Sequence, residues 1–255
     1  MNAPARRFCR VESLEVGEGL AGTGGHPARM LLIRWPKRRW SRDFDAAVDM
    51  TAAERAAVAR LCEGGRRVQL VDRKGEADGA HRLWLYPENH TRSVARFDLA
   101  PALEALAAGG LNGWKPAERQ LLLVCTHGQK DRCCARWGFA AYKALAAKAP
   151  EEVEVFESTH LGGCRLAAST LGLPAMTKHG RVMPADAGEL LDAEGKGVPL
   201  PRQWRGPCHL SPEAQAREVS ERLGRSLLPG PRRVERPATC AELDAGVTTG
   251  GLSWD

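Results

Sequence analysis

Apolar and polar positions along the chain fall into short segments whose period changes several times. Residues 29–35, carrying Met30-Leu31-Leu32-Ile33-Arg34-Trp35, form a run of strand length, the pattern of a strand buried on both faces. Thr51-Ala52-Ala53-Glu54 is a capping box, in which threonine and glutamate satisfy each other's free helix-end amides. It predicts a helix that Gly64-Gly65 closes. Arg67–Val71 and Arg82–Tyr86 predict strands, Ser93–Phe97 a third, and Asp98 is read as the cap of a short helix to Ala108. The second half predicts a strand over Gln120–Cys125, an alanine-rich helix over Gly138–Ala149 stopped by Pro150, and a strand over Val153–Phe156. A helix over Gly163–Leu171, a short strand over Gly180–Met183 and a helix capped by Asp186 follow. Beyond Pro199 one helix is expected, Ser211–Arg225, with Ser211 as N-cap and Pro212 in its first turn. Residues 248–255 carry no element signal and read as a mobile end.

Each half thus orders itself as strand, helix, strands, helix, which places the chain in the α/β class. The expected organisation is an N-terminal α/β domain over residues 1–112, a second over 113–200, and a helix with a Pro- and Arg-rich tail over 201–255. The halves share an order of elements but no residue-level repeat.

Composition narrows the function classes. With 255 residues, 43% hydrophobic and 27% charged, the chain has globular values and room for a real core. Its longest apolar run, Leu121–Cys125, is far below the roughly 18 residues of a membrane span, so no membrane partner is expected. The net charge of +6 permits an acidic partner. No zinc-finger, RNP or helix-turn-helix pattern supports nucleic acid. Arg6-Arg7 precedes no apolar stretch, so a cytoplasmic location is expected, where the eight cysteines stay reduced unless they bind metal or do redox chemistry.

The placing of those cysteines carries the chemistry. Cys125-Thr126-His127-Gly128-Gln129-Lys130-Asp131-Arg132-Cys133-Cys134 follows a buried strand, and Ser158-Thr159-His160-Leu161-Gly162-Gly163-Cys164 follows the next. Loops at the same ends of neighbouring strands converge in a wound α/β unit. Cys125, one of Cys133 and Cys134, His160 and Cys164 are therefore expected to meet. Thiolate-rich ligation selects iron–sulfur clusters, zinc or Cu(I). The long first loop, wider than a zinc knuckle, favours a cluster over zinc.

These stretches, with Gly180-Arg181-Val182, resemble the sucrase/ferredoxin-like family, whose members are thioredoxin-like 2Fe–2S ferredoxins. Weaker echoes at Leu20-Ala21-Gly22-Thr23 and at Arg205-Gly206 with Gln215 extend the resemblance over most of residues 9–220. It implies a thioredoxin-like ferredoxin domain in the C-terminal half, packed on an N-terminal domain of related fold. It also implies a 2Fe–2S cluster held by two cysteines of the first loop and a His-x3-His segment. Carried over, the ligands are Cys125, Cys134 and His160, with the second histidine replaced by Cys164; Cys133 and His127 are the alternates. Three thiolates and one imidazole leave the cluster less negative than four thiolates do. Its expected potential lies between the about −400 mV of plant-type ferredoxins and the about −150 to +300 mV of two-histidine Rieske sites. A solvent-reaching His160 nitrogen would couple the electron to a proton.

Other features read blandly. Asp131 is expected to brace its loop, and Arg165 to sit at the surface or offset the cluster's charge. Cys62 reads as core, and Cys9, Cys208 and Cys240 as bearing no chemistry. Gly22–His26 lacks the Lys-Ser/Thr of a phosphate loop and reads as a turn. No carboxylate pair suggests glycoside hydrolysis. The leading reading is a one-electron carrier with a protein redox partner and no catalytic residue of its own. The alternatives are a thiol-based redox enzyme using Cys125 with His127, or Cys133 with Cys134, and a structural zinc module.

Overall fold

The computed structural model describes residues 7–76, 79–225 and 231–254. After a short helix α1 (Cys9–Glu15), β1 (Met30–Arg34) leads through α2 (Ala52–Glu63) to β2 (Arg67–Asp72), which lies parallel to β1. β3 (Ala80–Tyr86) pairs antiparallel with the other side of β1, β4 (His90–Ala95) pairs with β3, and α3 (Leu99–Ala107) follows. β5 (Lys115–Pro116) adds a short edge to β4. The second half then repeats the plan. β6 (Gln120–Cys125), α4 (Phe139–Lys148) and a parallel β7 (Val153–Ser158) come first. β8 (Thr170–Leu173) lies antiparallel on the far side of β6, and β9 (Thr177–His179) and α5 (Ala187–Gly195) complete the unit.

In both halves the second strand, the first, the third and the fourth lie side by side in that order. This is the thioredoxin-like arrangement that the family resemblance implies. The halves join through antiparallel pairs Val71 with Ser158 and Asp72 with Glu157, giving one nine-stranded sheet, β5-β4-β3-β1-β2-β7-β6-β8-β9.

Alternation along the strands divides the core. Leu31, Ile33 and Leu70 pack with Ala57, Leu61 and Leu103 of α2 and α3. Leu122, Val124 and Val155 pack with Leu145 of α4 and Leu190 of α5. Met30, Leu32, Val71, Leu121, Leu123 and Phe156 form a third group that crosses both halves and takes in Cys125, Cys134 and Cys164. Strands covered on both faces need apolar residues at successive positions, which is why they read as runs. Each such side chain contributes about 1.5–3 kcal/mol. The capping box is formed as expected: Glu54 N–H donates to Thr51 Oγ1 (3.2 Å) and Thr51 N–H to Glu54 Oε2 (2.7 Å). Ser211 caps α6 (Pro212–Arg222) by accepting from Ala214 N–H at 3.3 Å.

Several expectations are corrected. Residues 163–171 are not a helix but a single 3-10 turn, Cys164–Leu166, followed by β8. The exposed side of β6 needs a hydrogen-bonding partner, and that tertiary demand overrides local propensity. The short strand sits at Thr177–His179 rather than 180–183, where Arg181 takes a positive φ of 54°. Asp98 makes no side-chain cap; a 3-10 turn, Arg96–Asp98, runs directly into α3. Asp186 caps the turn before α5, accepting from Met183 N–H at 2.7 Å, and not the helix itself. The tail is not loose. β10 (Arg232–Arg236) pairs antiparallel with β11 (Thr249–Ser253) around α7 (Cys240–Asp244). Gly19 N–H donates to Ser253 Oγ (2.9 Å), and Arg236 bonds the buried Glu18 (2.9 Å), so the last elements are knitted to the segment after α1. No helix among the described residues is long and apolar enough to cross a membrane.

Candidate metal centre

Cys125 is the last residue of β6, and the loop into α4 carries Cys134 back beside it. β7 ends at Ser158, two residues before His160. The ligand atoms of Cys125, Cys134 and His160 lie within 4.8 Å of one another. Cys164 Sγ is 3.4 Å from His160 Nδ1 and also hydrogen-bonds the Cys134 thiol. The structure thus brings Cys125, Cys134, His160 and Cys164 to one point, at the strand ends where loops of a wound unit converge. The three thiols are buried, whereas His160 is partly exposed and borders a cavity of about 540 Å³ that Gly25, Arg67, Gly162, Lys178 and Arg205 also line.

Local backbone demands set this geometry. Gly162 (φ 91°) and Gly163 (φ 76°) turn the chain from His160 to Cys164 through left-handed conformations that L side chains rarely adopt. A Cβ on Gly163 would stand 2.8 Å from the Arg205 guanidinium. Cys134–Gly138 is one π-helical turn, wider than an α turn and a device that recurs at functional sites. It presses Gly138 against the end of β6, where a Cβ would lie 2.0 Å from the Cys125 carbonyl oxygen. Gly138→Ala must therefore displace the Cys125 backbone. The expected result is a loss of about 3 kcal/mol or more, read as a lowered midpoint in thermal unfolding. An unchanged midpoint would show that the approach is not tight.

Charge around the four donors is organised. The Cys134 thiol, hydrogen-bonded to both neighbours, is the main cause holding Cys125 well below and Cys164 below the usual thiol range; His160 adds to both. Cys134 itself is raised well above its ordinary value by the same bonds to Cys125 and Cys164. Burial alone would lower His160, but hydrogen bonds to Cys125 and Cys164 raise it to about 9. Two buried cations complete the surroundings. Lys178 Nζ donates to the Gly25 carbonyl (3.0 Å), and burial pulls its pKa well down. Arg205 bonds the Thr23 and Gly162 carbonyls and Thr23 Oγ1, and burial lowers it to about 10. Neither is bonded to a carboxylate among the described residues. Arg205 keeps a costly buried charge and Lys178 is pushed toward its neutral form, so the pocket suits an anionic assembly of thiolates and a negatively charged cofactor that would offset the one and restore the charge of the other.

The chemistry of the donor set fits both a cluster and zinc. The closeness of Cys125, Cys134 and His160 matches one ion, whereas Cys164, outside that mutual group, and the basic surroundings fit the larger, more negative cluster. Arg67 Nη2 donates to the His160 carbonyl (2.6 Å), and Gln69 Nε2 donates to the same carbonyl (3.2 Å) and to Thr159 Oγ1 (2.8 Å). Both come from β2, so the N-terminal half braces the site. The sequence reading missed Arg67, Gln69, Lys178 and Arg205. Gln69 left a trace as a polar residue inside the apolar run Val68–Val71, and Arg205 only as part of a weak family echo with no role assigned.

The remaining predicted residues fall elsewhere. His127 is buried with Nε2 2.7 Å from the Ser41 carbonyl and its ring edge-on to Trp40; its backbone N–H, rather than its ring, reaches Cys125 Sγ. Arg165 pairs with Glu18, whose carboxyl burial disfavours but Arg236 and Arg165 hold below its usual range. Cys62 is half-buried in α2, and Cys208, packed in the core, has its Sγ 3.0 Å from the Met176 carbonyl. Cys133 points away from Cys134. It joins Cys9, Cys240 and Asp131 in a second buried group, so the reading of Cys9 and Cys240 as isolated thiols is corrected.

The model of one protein family, described as sucrase/ferredoxin-like, matches residues 20–206. Among solved structures, a thioredoxin-like [2Fe–2S] ferredoxin from Aquifex aeolicus is 19% identical at a TM-score of 0.31, covering 34% of this chain and 97% of that one. A second structure of such a ferredoxin from the same organism gives 22% identity and a TM-score of 0.30, over 34% of this chain and 91% of that one. No curated protein matches the chain.

Proposed function

Because the chain belongs to the sucrase/ferredoxin-like family, we propose that it is an electron-transfer protein carrying a 2Fe–2S cluster on Cys125, Cys134, His160 and Cys164. The observation that carries this reading is the meeting of those three thiols and one imidazole beside the buried cations Lys178 and Arg205. Bound there, the cluster supplies one-electron oxidation and reduction. The chain's own residues supply the rest. The core that includes Leu123 and Leu161 keeps water from the thiol side. Arg67 and Gln69 fix the His160 backbone. His160, the one partly exposed member, gives the electron a short route to a redox partner protein and can exchange a proton with solvent. The cationic rim of its cavity suits an acidic partner face.

The test is anaerobic purification of the full chain with a visible spectrum and assays of iron, acid-labile sulfide and zinc. About two irons and two sulfides per chain, in a red-brown protein, are expected. A potential that falls with rising pH between roughly 6 and 9 identifies His160 as the proton-linked member. The second reading is a single zinc on the same residues, favoured by the closeness of Cys125, Cys134 and His160. A colourless protein whose zinc is lost on Cys125→Ser would establish it and overturn the cluster.

A further inference from the structure

Apart from these four donors, Cys9, Asp131, Cys133 and Cys240 form a group whose ligand atoms all lie within 4.8 Å of one another. The thiols make a nearly equilateral triangle: Cys9 to Cys133 is 3.5 Å, Cys133 to Cys240 is 3.3 Å, and Cys240 to Cys9 is 3.6 Å. Asp131 Oδ2 lies 3.8 Å from Cys9 Sγ. All four residues are buried. From this geometry we infer a second metal site, separate from the cluster donors, in which Cys9, Cys133, Cys240 and Asp131 hold one structural zinc ion.

Three considerations support zinc. Ligands about 2.3 Å from a tetrahedral zinc place their sulfurs about 3.8 Å apart, so the triangle needs to open by only a few tenths of an ångström. The carboxylate is already aimed. Its Oδ1 accepts from Cys133 N–H (2.8 Å) and its Oδ2 from Cys240 N–H (2.7 Å), leaving each oxygen a lone pair for an ion. The sulfurs receive the N–H bonds that thiolate ligands take: Cys9 N–H reaches Cys240 Sγ at 3.5 Å, and Arg10 N–H reaches Cys133 Sγ. A disulfide explains the group less well. Three thiols are an odd number, and a carboxylate among them is repulsive once any is ionised, unless a cation stands between. Two irons need more room than this triangle gives, and zinc accepts the mixed sulfur and oxygen set.

The site would have a structural task. Cys9 opens α1, Cys240 opens α7, and Cys133 is the neighbour of Cys134 in the first loop. One ion would fasten three distant parts of the chain and fix the loop that presents Cys134.

The test uses the full chain, purified anaerobically without added metal, with zinc and iron measured on the same sample. About one zinc per chain is expected in the wild type and in Cys208→Ser. In Cys240→Ser zinc falls about tenfold or more while iron per chain is unchanged. Two further variants serve where the serine variant does not fold. Cys240→His retains zinc because it keeps a donor, and Asp131→Asn loses zinc to a chelator about tenfold more readily. Cobalt(II) added to the chelator-stripped wild type should give thiolate-to-cobalt absorption that Cys240→Ser lacks. A zinc-free wild type without that cobalt absorption overturns the site. So does zinc that survives both Cys9→Ser and Cys240→Ser, since the ion then sits elsewhere. An iron-free chain whose zinc depends on Cys240 supports this site while overturning the proposed function, so the two can fail separately.

Discussion

Serine at Cys134 is expected to abolish iron binding and the visible spectrum, whereas serine one residue earlier, at Cys133, leaves both in place. The contrast follows from where adjacent side chains point. Cys134 Sγ contacts Cys125 and Cys164 in the group that also holds His160. Cys133 Sγ faces Cys9 and Cys240, against the braced carboxylate of Asp131. Losing one thiolate of three removes a ligand that a serine hydroxyl replaces poorly at neutral pH. Iron per chain should therefore fall about tenfold or more in Cys134→Ser and stay within experimental scatter in Cys133→Ser. Equal iron loss in both variants would mean that the loop is rearranged as a unit and that the two thiols do not separate as described.

The second large effect concerns the residue that departs from the family pattern. Cys164→His should turn three thiolates and one imidazole into two and two. Each thiolate exchanged for a neutral imidazole removes one negative charge from the surroundings of the iron, which favours the reduced state. The midpoint potential should rise by on the order of 100 mV or more, toward the range of two-histidine sites, and become more strongly pH-dependent. Protein-film voltammetry across pH 6–9 reads both quantities. A potential that does not move would remove Cys164 from the ligand set. Cys164 stands in a short 3-10 turn entered through Gly162 and Gly163, both of which line the cavity beside His160.

Parts of this architecture were legible in the sequence because their causes are local. The capping box over Thr51 and Glu54, and the apolar runs of β1, β2 and β6, state their own structure. So does the placing of Cys125 at the end of β6 and of His160 just past the end of β7. What was hidden depends on distant partners. β8 forms because β6 lacks a neighbour on that side, and β11 pairs through residues Thr249–Ser253, whose two glycines carry no strand signal. α1 starts after Phe8 without any side-chain cap and is held by tertiary contacts. Arg10 stacks over Trp137 and bonds the Ala167 carbonyl, and Phe8 packs edge-on to Trp137. The twofold plan of the sheet shows in topology and not in residue matches, because packing preserves which positions are apolar more than which residues fill them. Cys9 and Cys240 are 231 positions apart, and no local spacing rule could have joined them.

That separation bears on how the chain is made. During synthesis the first helix emerges early, yet its thiol partner at Cys240 and its neighbour Ser253 emerge more than two hundred residues later. The strands and helices of both halves can assemble beforehand, since domains fold largely as they leave the ribosome. The loop bearing Cys134 then waits, with Cys133 and Asp131 unpartnered, until the last hairpin arrives to close over the start of the chain. Nascent chains halted before Cys240 should therefore hold a formed sheet but an unfinished loop, open to premature oxidation. Metal binding at the proposed Cys9, Cys133 and Cys240 group would in that sense wait until Cys240 has been made.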